Sequence, residues 1–148
     1  MTEDEKYMRE ALREALLAAG KDEVPVGAVV VHGRRIIARA HNLTETLSDA
    51  TAHAEMQALT AAMSFIGGKY LVDCTLYVTL EPCPMCAGAC HWAQVGRLVY
   101  GAADPKRGYS LIRQNLLHPK AVVAQGVLAD ECGTLMSDFF RKKREKGW

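Results

Sequence analysis

The sequence has no apolar run that approaches the ~20 residues a membrane-spanning helix needs, so no membrane partner is expected. Residues 1–6 are acidic and polar, whereas a secretory signal peptide begins with a basic segment. The five cysteines, two of them in a Cys-x-x-Cys motif, suit metal or redox chemistry in a reducing compartment better than a disulfide framework. These absences together predict a cytoplasmic protein.

The chain also has little net charge and no linker, internal repeat or low-complexity segment. Its formal net charge is +1, which excludes a strong overall field for steering polyanions and leaves room for a local basic patch. One such patch, the basic tail of residues 141–146, could bind nucleic acid or could be a solvated helix end whose cations favour the helix dipole. With 148 residues, 49% of them hydrophobic, the chain suits one globular domain over 1–148.

Hydrophobic periodicity and turn residues predict alternating helices and strands. In chain order these are a helix over 4–19, strands over 28–31 and 36–40, a helix capped by Thr51, a strand over 75–80, a helix from Pro84 to near Gly96, a strand over 97–100, a long loop over 101–120, a strand over 121–127 and a helix that begins around Asp130. The unit of strand, helix and strand around Pro84 predicts a parallel crossover. We therefore expect one α/β domain with about five strands and helices on both faces of the sheet.

Two short motifs carry side chains that can bind a metal ion. The His-x-Glu motif of residues 53–55 supplies an imidazole and a carboxylate, and the Pro-Cys-x-x-Cys motif of residues 82–86 supplies two thiols. Each motif is predicted at the start of a helix. On a regular helix the two side chains of a His-x-Glu motif would point about 200° apart. They can therefore serve one site only if that site lies over the helix N-terminus.

We predict a catalytic zinc site with His53, Cys83 and Cys86 as its protein ligands. Catalytic zinc sites keep a fourth position for water, and zinc lowers the pKa of that water to roughly 7. Glu55 then provides a carboxylate that is not a ligand and can pass the proton to a leaving group. The pattern indicates an enzyme that hydrolyses a carbon–heteroatom bond.

Two other interpretations of the motifs remain open. The Cys-x-x-Cys motif between a strand and a helix is also typical of thioredoxin-like redox chemistry, but that interpretation leaves His53 and Glu55 unexplained. A structural zinc site would need a fourth protein ligand, for which Cys90 and His91 are the nearest candidates. Cys90 lies one helical turn after Cys86, although a buried small hydrophobe is its ordinary role.

The two metal motifs together resemble the signature of the zinc nucleobase deaminases. The likeness extends along the chain to the tRNA-specific adenosine deaminase family, within the zinc-dependent cytidine and deoxycytidylate deaminase superfamily. The matching segments are residues 23–28, 40–42, 51–55, 75–83, 85–88, 126–128 and 138–141.

The resemblance implies a three-layer α/β/α cytidine-deaminase-like fold with a mixed sheet of about five strands. It implies one zinc ion per subunit, bound by His53, Cys83 and Cys86, with Glu55 as the proton shuttle. In the implied reaction, zinc-activated hydroxide attacks C6 of adenine, and adenosine becomes inosine at the wobble position of a tRNA anticodon. The implied partners are the tRNA anticodon arm and a second copy of the chain in a homodimer.

The resemblance also implies contacts with the substrate. These would come from Asn42 and the backbone of Ala54 at the base edge, Val26 against the base face, Phe140 in the pocket, and Asp104 and Lys106 at flanking anticodon nucleotides. Each residue also has an ordinary interpretation. Asn42 could cap a turn, Val26 could belong to the core, and Asp104 could start a turn.

The substrate is the least determined part of this prediction, because zinc chemistry alone does not select a base. The alternative is a deaminase of a free base or nucleoside, such as guanine, cytosine or cytidine, and a non-catalytic zinc- or RNA-binding module is a further possibility. Loop 107–113 is shorter and has bulkier side chains than is usual in the family. This difference affects the RNA contacts that the resemblance implies. The basic tail and Lys106 favour RNA, since a free base has no phosphates to contact.

Overall fold

The computed structural model describes residues 1–147, and Trp148, the last residue of the predicted domain, lies outside them. Within these residues a five-stranded sheet has the strand order β2-β1-β3-β4-β5. Its strands are β1 (Gly27–His32), β2 (Arg35–His41), β3 (Cys74–Leu80), β4 (Arg97–Ala102) and β5 (Val122–Gln125). The helices over the same part of the chain are α1 (Glu3–Gly20), α2 (Ala54–Ile66), α3 (Pro84–Ala93) and α4 (Ala129–Glu145).

The sheet is mixed, as predicted. Strand β1 pairs antiparallel with both β2 and β3, whereas β3, β4 and β5 run parallel to one another. The tight turn after β1 allows the antiparallel hairpin, while the parallel pair β3 and β4 needs the longer connection through α3. The predicted parallel crossover around Pro84 is therefore confirmed.

Helices cover both faces of the sheet, because the strands bury alternate side chains on opposite sides. On one face, Ala28 and Val30 of β1 pack with α2 and α3. On the other face, Val29 and Val31 pack with α1 and α4. This arrangement confirms the predicted three-layer α/β/α architecture and explains why β1 is buried on both sides.

Gly27 marks a close approach between the sheet and a helix. A Cβ atom built at this position would overlap the backbone of Ala11 and Ala15 in α1. Only glycine lets the first residue of β1 lie against α1 at this distance. The contact also fixes the start of β1, directly after Val26.

Two predicted element ends were wrong. Thr51 does not cap α2, because the carboxylate of Asp49 accepts hydrogen bonds from both its backbone N–H and its hydroxyl. The cap residue is His53. Helix α3 ends at Ala93 rather than near Gly96, because Gln94 adopts a left-handed conformation with φ of 53°.

The C-terminal third of the chain also differs from the prediction in detail. The edge strand β5 covers four residues instead of the predicted seven over 121–127. The segment predicted as a loop from residue 101 contains the end of β4 and a short 3-10 helix, Tyr109–Leu111. In α4, Cys132 is buried, while the apolar residues Leu135, Met136, Phe139 and Phe140 are only half-buried, because the helix lies near the edge of the sheet. No helix within residues 1–147 is long and apolar enough to cross a membrane.

Candidate active site

Two helix N-termini carry the predicted metal ligands. His53 is the N-cap of α2 and Cys83 is the N-cap of α3, and neither side chain caps its own helix. Both residues have extended backbone conformations, so their side chains leave the helix axis and can turn toward each other. Pro84 occupies the first turn of α3, where its missing N–H costs no hydrogen bond.

The three predicted ligands come together. Nδ1 of His53 lies 3.6 Å from Sγ of Cys83 and 3.6 Å from Sγ of Cys86. All three candidate ligand atoms lie within 4.8 Å of one another. A tetrahedral zinc ion with Zn–S bonds of about 2.3 Å and a Zn–N bond of about 2.05 Å would separate nitrogen from sulfur by about 3.6 Å. The donor set and its spacing therefore fit a zinc ion.

The electrostatics of the cluster favour a thiolate. The pKa of Cys83 is lowered to about 4, because the Cys86 thiol donates a hydrogen bond to its sulfur and His53 lies beside it. The pKa of His53 is raised by the same contact with Cys83, and its ring also hydrogen-bonds the backbone of Ala50, which fixes the ring orientation. The helix dipoles of α2 and α3 add to this preference for negative charge.

Glu55 lies beside the cluster without belonging to it. It is the second residue of α2 and is 4% exposed. Burial raises the pKa of this carboxyl group to about 7, and interactions with His53 oppose the rise. Because His53 is the N-cap and has an extended backbone, the 200° separation of a regular helix does not apply. Histidine and glutamate therefore converge over the helix N-terminus, as the spacing required.

The interpretation of the cysteines as part of a closed structural zinc site has less support in the geometry. Among residues 1–147, the cluster of candidate ligand atoms contains His53, Cys83 and Cys86 and includes neither Cys90 nor His91. Burial raises the pKa of Cys90 to about 12, which is the behaviour of a core thiol. Three protein ligands with a buried carboxylate beside them correspond to an open site rather than to a closed structural one.

Three of the residues predicted to contact the substrate lie on the side of the cluster where helix α2 begins. Asn42 is 7% exposed and its backbone N–H donates to the carbonyl of Val26, so the two residues are directly linked. Oδ1 of Asn42 accepts a long bond of 3.4 Å from the backbone of Thr44, which is its predicted turn role. Ala54 is fully buried as the first residue of α2, where helical hydrogen bonds leave the backbone N–H unused.

The other predicted contacts lie on the far side of the cluster or on α4. Oδ1 of Asp104 accepts hydrogen bonds from the backbone of Lys106 and Arg107, so this carboxylate caps its own turn. Lys106 is exposed and borders a cavity of about 370 Å³ that Cys83 also lines. Phe140 is half-buried on α4 and its ring packs edge-on against Phe139.

Glu81 is a buried charged residue that the sequence analysis missed. Its carboxylate is 3% exposed and bonds to residues more than twenty positions away. The local signal was present, because a glutamate between a buried strand and a candidate metal ligand is an unusual place for an unpaired charge. The partners themselves could not be found from the sequence.

A match to a family model shows the class of protein to which the chain belongs. The model of the MafB19-like deaminases matches residues 2–144. The protein is thus a deaminase, and its sheet and helices correspond to the cytidine-deaminase-like fold.

Individual relatives narrow the class. Over 99% of its length the chain is 52% identical to the tRNA-specific adenosine deaminase of Bacillus subtilis, of which it covers 94%. A solved structure of a tRNA:A34 deaminase, which performs A-to-I editing at the wobble position of transfer RNA, matches with a TM-score of 0.82 and 42% identity. That match covers 88% of this chain and 98% of the other. The chain belongs to the tRNA-specific adenosine deaminase family.

A likeness to base deaminases is also present. A guanine deaminase structure from Bacillus subtilis has 39% sequence identity and a TM-score of 0.64, and the match covers 67% of this chain and 64% of the other. The same fold thus occurs in a protein that is named for a free base.

Proposed function

We propose that the protein hydrolyses adenosine to inosine and ammonia at the wobble position of a tRNA anticodon. The observation that carries this proposal is the convergence of His53, Cys83 and Cys86, with Glu55 buried beside them. Identity of 52% over almost the whole chain to a tRNA-specific adenosine deaminase supports the choice of substrate.

His53, Cys83 and Cys86 would hold one zinc ion per subunit. When bound, zinc supplies a nucleophilic hydroxide at neutral pH by lowering the pKa of water. The spacing of 3.6 Å between Nδ1 and each sulfur supports this assignment, as does the lowered pKa of Cys83. The hydrogen bond from the His53 ring to the backbone of Ala50 keeps Nδ1 directed at the sulfurs.

Glu55 moves the protons of the reaction. A carboxyl group with a pKa of about 7 can accept a proton from water and return it near neutral pH. In the overall reaction, oxygen adds to C6 of adenine and the C6–N bond breaks. Glu55 carries the proton to that nitrogen, which leaves as ammonia. Burial of the carboxylate keeps bulk water from competing for its proton.

The base would be held by groups on the α2 side of the site. The amide of Asn42 offers both a donor and an acceptor to a purine edge, and the backbone N–H of Ala54 offers a second donor. Val26 would pack against the base face, and its hydrogen bond with Asn42 keeps the two groups in register. Phe140 would close the pocket from α4.

RNA contacts would come from the rim of the site. Lys106 borders the cavity next to Cys83 and can neutralise a phosphate, and the turn capped by Asp104 positions it. The exposed cations of the basic tail would supply further contacts with phosphates. Such contacts favour a polynucleotide, because phosphate neutralisation is the main source of affinity for RNA.

The protein would act as a homodimer. The side of the sheet that carries α2 and α3 exposes the large side chains of Phe65, Tyr70 and Trp92, the last of which is 79% exposed. Exposed aromatic groups of this size support a surface that a second copy covers. Sedimentation velocity should give a mass of about twice the 16.2 kDa of the chain.

Deamination of a free base is the second candidate, because a guanine deaminase shares the fold. One assay separates the two functions. Purified zinc-loaded protein is incubated with an anticodon stem-loop that carries adenosine at position 34, and separately with guanine, cytosine, cytidine and adenosine. We expect inosine in the stem-loop and no ammonia from the small molecules. Ammonia from guanine, with no inosine in the RNA, would establish the second candidate instead.

A further inference from the structure

Glu81 is a buried carboxylate to which the proposed mechanism gives no role. It follows the last residue of β3 and precedes the metal ligand Cys83 by two residues. Its side chain is 3% exposed, and a charge this deeply buried needs compensating hydrogen bonds. Those bonds show what the residue does.

Among residues 1–147, the hydrogen bonds to the Glu81 carboxylate come from one segment, residues 104–110, here called the rim loop. Oε1 accepts the backbone N–H of Asp104 at 3.1 Å. Oε2 accepts the backbone N–H of Ser110 at 3.0 Å and its hydroxyl at 2.6 Å. One carboxylate therefore holds both ends of the rim loop.

The rim loop also packs directly onto this carboxylate. A Cβ atom built at Gly108 would overlap the carboxylate of Glu81, so a larger residue here would displace that carboxylate from its present position. A further bond joins the loop to the metal-binding segment, from the backbone N–H of Tyr109 to the carbonyl of Pro82 at 2.9 Å. The loop is thus anchored to the residues that immediately precede Cys83.

The rim loop forms one wall of the cavity of about 370 Å³ beside the metal cluster. Its basic residues Lys106 and Arg107 face this space from one side. The remaining wall includes Cys83, Pro84, Leu111 and Ile112. A displacement of the loop would therefore move two cations relative to the candidate metal ligands.

We propose that Glu81 is a positioning residue that holds the rim loop as the basic wall of the RNA opening. The proposal rests on the proposed function for its RNA substrate, while the attachment of the loop to Glu81 stands on the geometry alone. Glu81 does not touch the reacting atoms in this role. It sets the position of Lys106 and Arg107 relative to Cys83, and so it governs how well RNA binds.

The variant Glu81→Gln tests this role with little change in volume. An amide has one oxygen and one NH₂ group, whereas the carboxylate accepts at both oxygens. In either orientation the NH₂ group faces a backbone N–H, that of Asp104 or that of Ser110. At least one end of the rim loop is therefore released. Ser110→Ala is a milder second variant, because it removes only the 2.6 Å hydroxyl bond.

Asp4→Asn is the matched control. Asp4 is also a carboxylate that accepts side-chain hydrogen bonds, from Arg97 and Tyr77, but α1 lies on the opposite face of the sheet from α2 and α3. The Asp4→Asn variant should be less stable than the wild-type protein, and its rim loop should be unchanged.

The first measurement is limited trypsin digestion at Lys106 and Arg107, which needs no RNA. We expect cleavage of Glu81→Gln about tenfold faster than cleavage of the wild-type protein and of Asp4→Asn, because one or two bonds to a charged acceptor no longer hold the loop closed. Ser110→Ala should be cleaved about threefold faster. Equal rates in all four proteins would overturn the proposal.

The second measurement is steady-state kinetics with the adenosine-34 stem-loop, alongside the zinc content. For Glu81→Gln we expect one zinc per chain, a KM about tenfold higher and a kcat within about twofold of wild type, the signature of weakened substrate binding. Loss of zinc, or a fall in kcat at constant KM, would assign Glu81 to the metal centre and overturn the proposal. If the wild-type protein forms no inosine, the proposed function fails, and the trypsin result still decides the role of Glu81.

Discussion

Nδ1 of His53 lies 3.6 Å from Sγ of Cys83, although thirty residues of chain separate them. The N-termini of α2 and α3 create this contact, since each helix begins immediately after one of the two residues. The fold therefore brings the donor atoms to the spacing of a tetrahedral ion without support from a disulfide or a fourth protein ligand. The zinc content of ligand variants therefore tests whether these atoms bind a metal ion.

Substitution of a ligand should remove the metal. We expect about one zinc per chain in the wild-type protein by inductively coupled plasma mass spectrometry, and a much smaller content in Cys83→Ser, because two ligands hold zinc far more weakly than three. Cys90→Ser is the matched control, as a buried cysteine outside the cluster. If Cys90→Ser also lost its zinc, the site would be a closed structural one with Cys90 as the fourth ligand.

Glu55→Gln should separate chemistry from metal binding. The variant keeps the shape of a buried side chain and leaves all three ligands in place, so the zinc content should not change. Activity should fall by a factor of about 10² to 10⁴, the usual contribution of a general acid–base group. A variant with full zinc content and unchanged kcat would show that Glu55 does not carry the proton.

The basic tail divides into cations with different roles. Lys143 is only 13% exposed, forms an ion pair with Asp22 and lies over the ring of Phe139, so it belongs to the fold. Lys142 and Arg144 are exposed. The double variant Lys142→Ala, Arg144→Ala should lower the slope of log K against log salt for RNA binding, by about 0.7 to 0.9 for each phosphate that the tail no longer neutralises.

Lys143→Ala is the comparison for this experiment. It should keep the salt slope of the wild-type protein and lower the free energy of unfolding only slightly, since its partner Asp22 is largely exposed. A double variant with an unaltered salt slope would mean that the tail is only a solvated helix end.

Two parts of the site show what could be predicted from the sequence. The convergence of the candidate ligands and Glu55 over two helix N-termini was predicted correctly, because Pro84 is a local signal for a helix start and the motifs have characteristic spacing. Thr51 was a wrong cap because its hydroxyl bonds to Asp49, which competes for the same group. The local sequence permits Thr51 either to cap α2 or to bond to Asp49, and it does not show which of the two forms.

Glu81 shows the opposite case. Its partners Asp104 and Ser110 lie 23 and 29 residues further along the chain, and no periodic pattern connects them. The contact exists because β3 and β4 are parallel neighbours, so the segments that follow them leave the same edge of the sheet. Strand pairing of this kind is a property of the folded chain, and only the topology reveals which loop covers a buried charge.

The contact between Asp4 and Arg97 makes a prediction about acid stability. Two hydrogen bonds of 2.7 Å from Arg97 hold the pKa of Asp4 below its ordinary value of 3.8, with a further contribution from Tyr77. Because the pKa is lower in the folded state, this contribution to stability is complete above about pH 5 and is lost as the pH falls through the folded pKa.

Asp4→Asn should therefore be less stable than the wild-type protein by about 1 to 2 kcal/mol at pH 7, a value discounted for partial exposure. The difference should shrink toward zero as the pH falls from about 5 to about 2. Urea unfolding of both proteins across this range measures it. A difference that stays constant with pH would mean that the Asp4 carboxylate is not titrating in its bonded state.

Sequencing of the reaction product tests the central claim most directly. A full-length tRNA transcript with adenosine at position 34 is incubated with the zinc-loaded protein, reverse-transcribed and sequenced, so that inosine is recorded as guanosine. We predict conversion at position 34 alone with the wild-type protein and none with Glu55→Gln. Unchanged adenosine at position 34, from a zinc-loaded preparation that releases ammonia from free guanine, would contradict it.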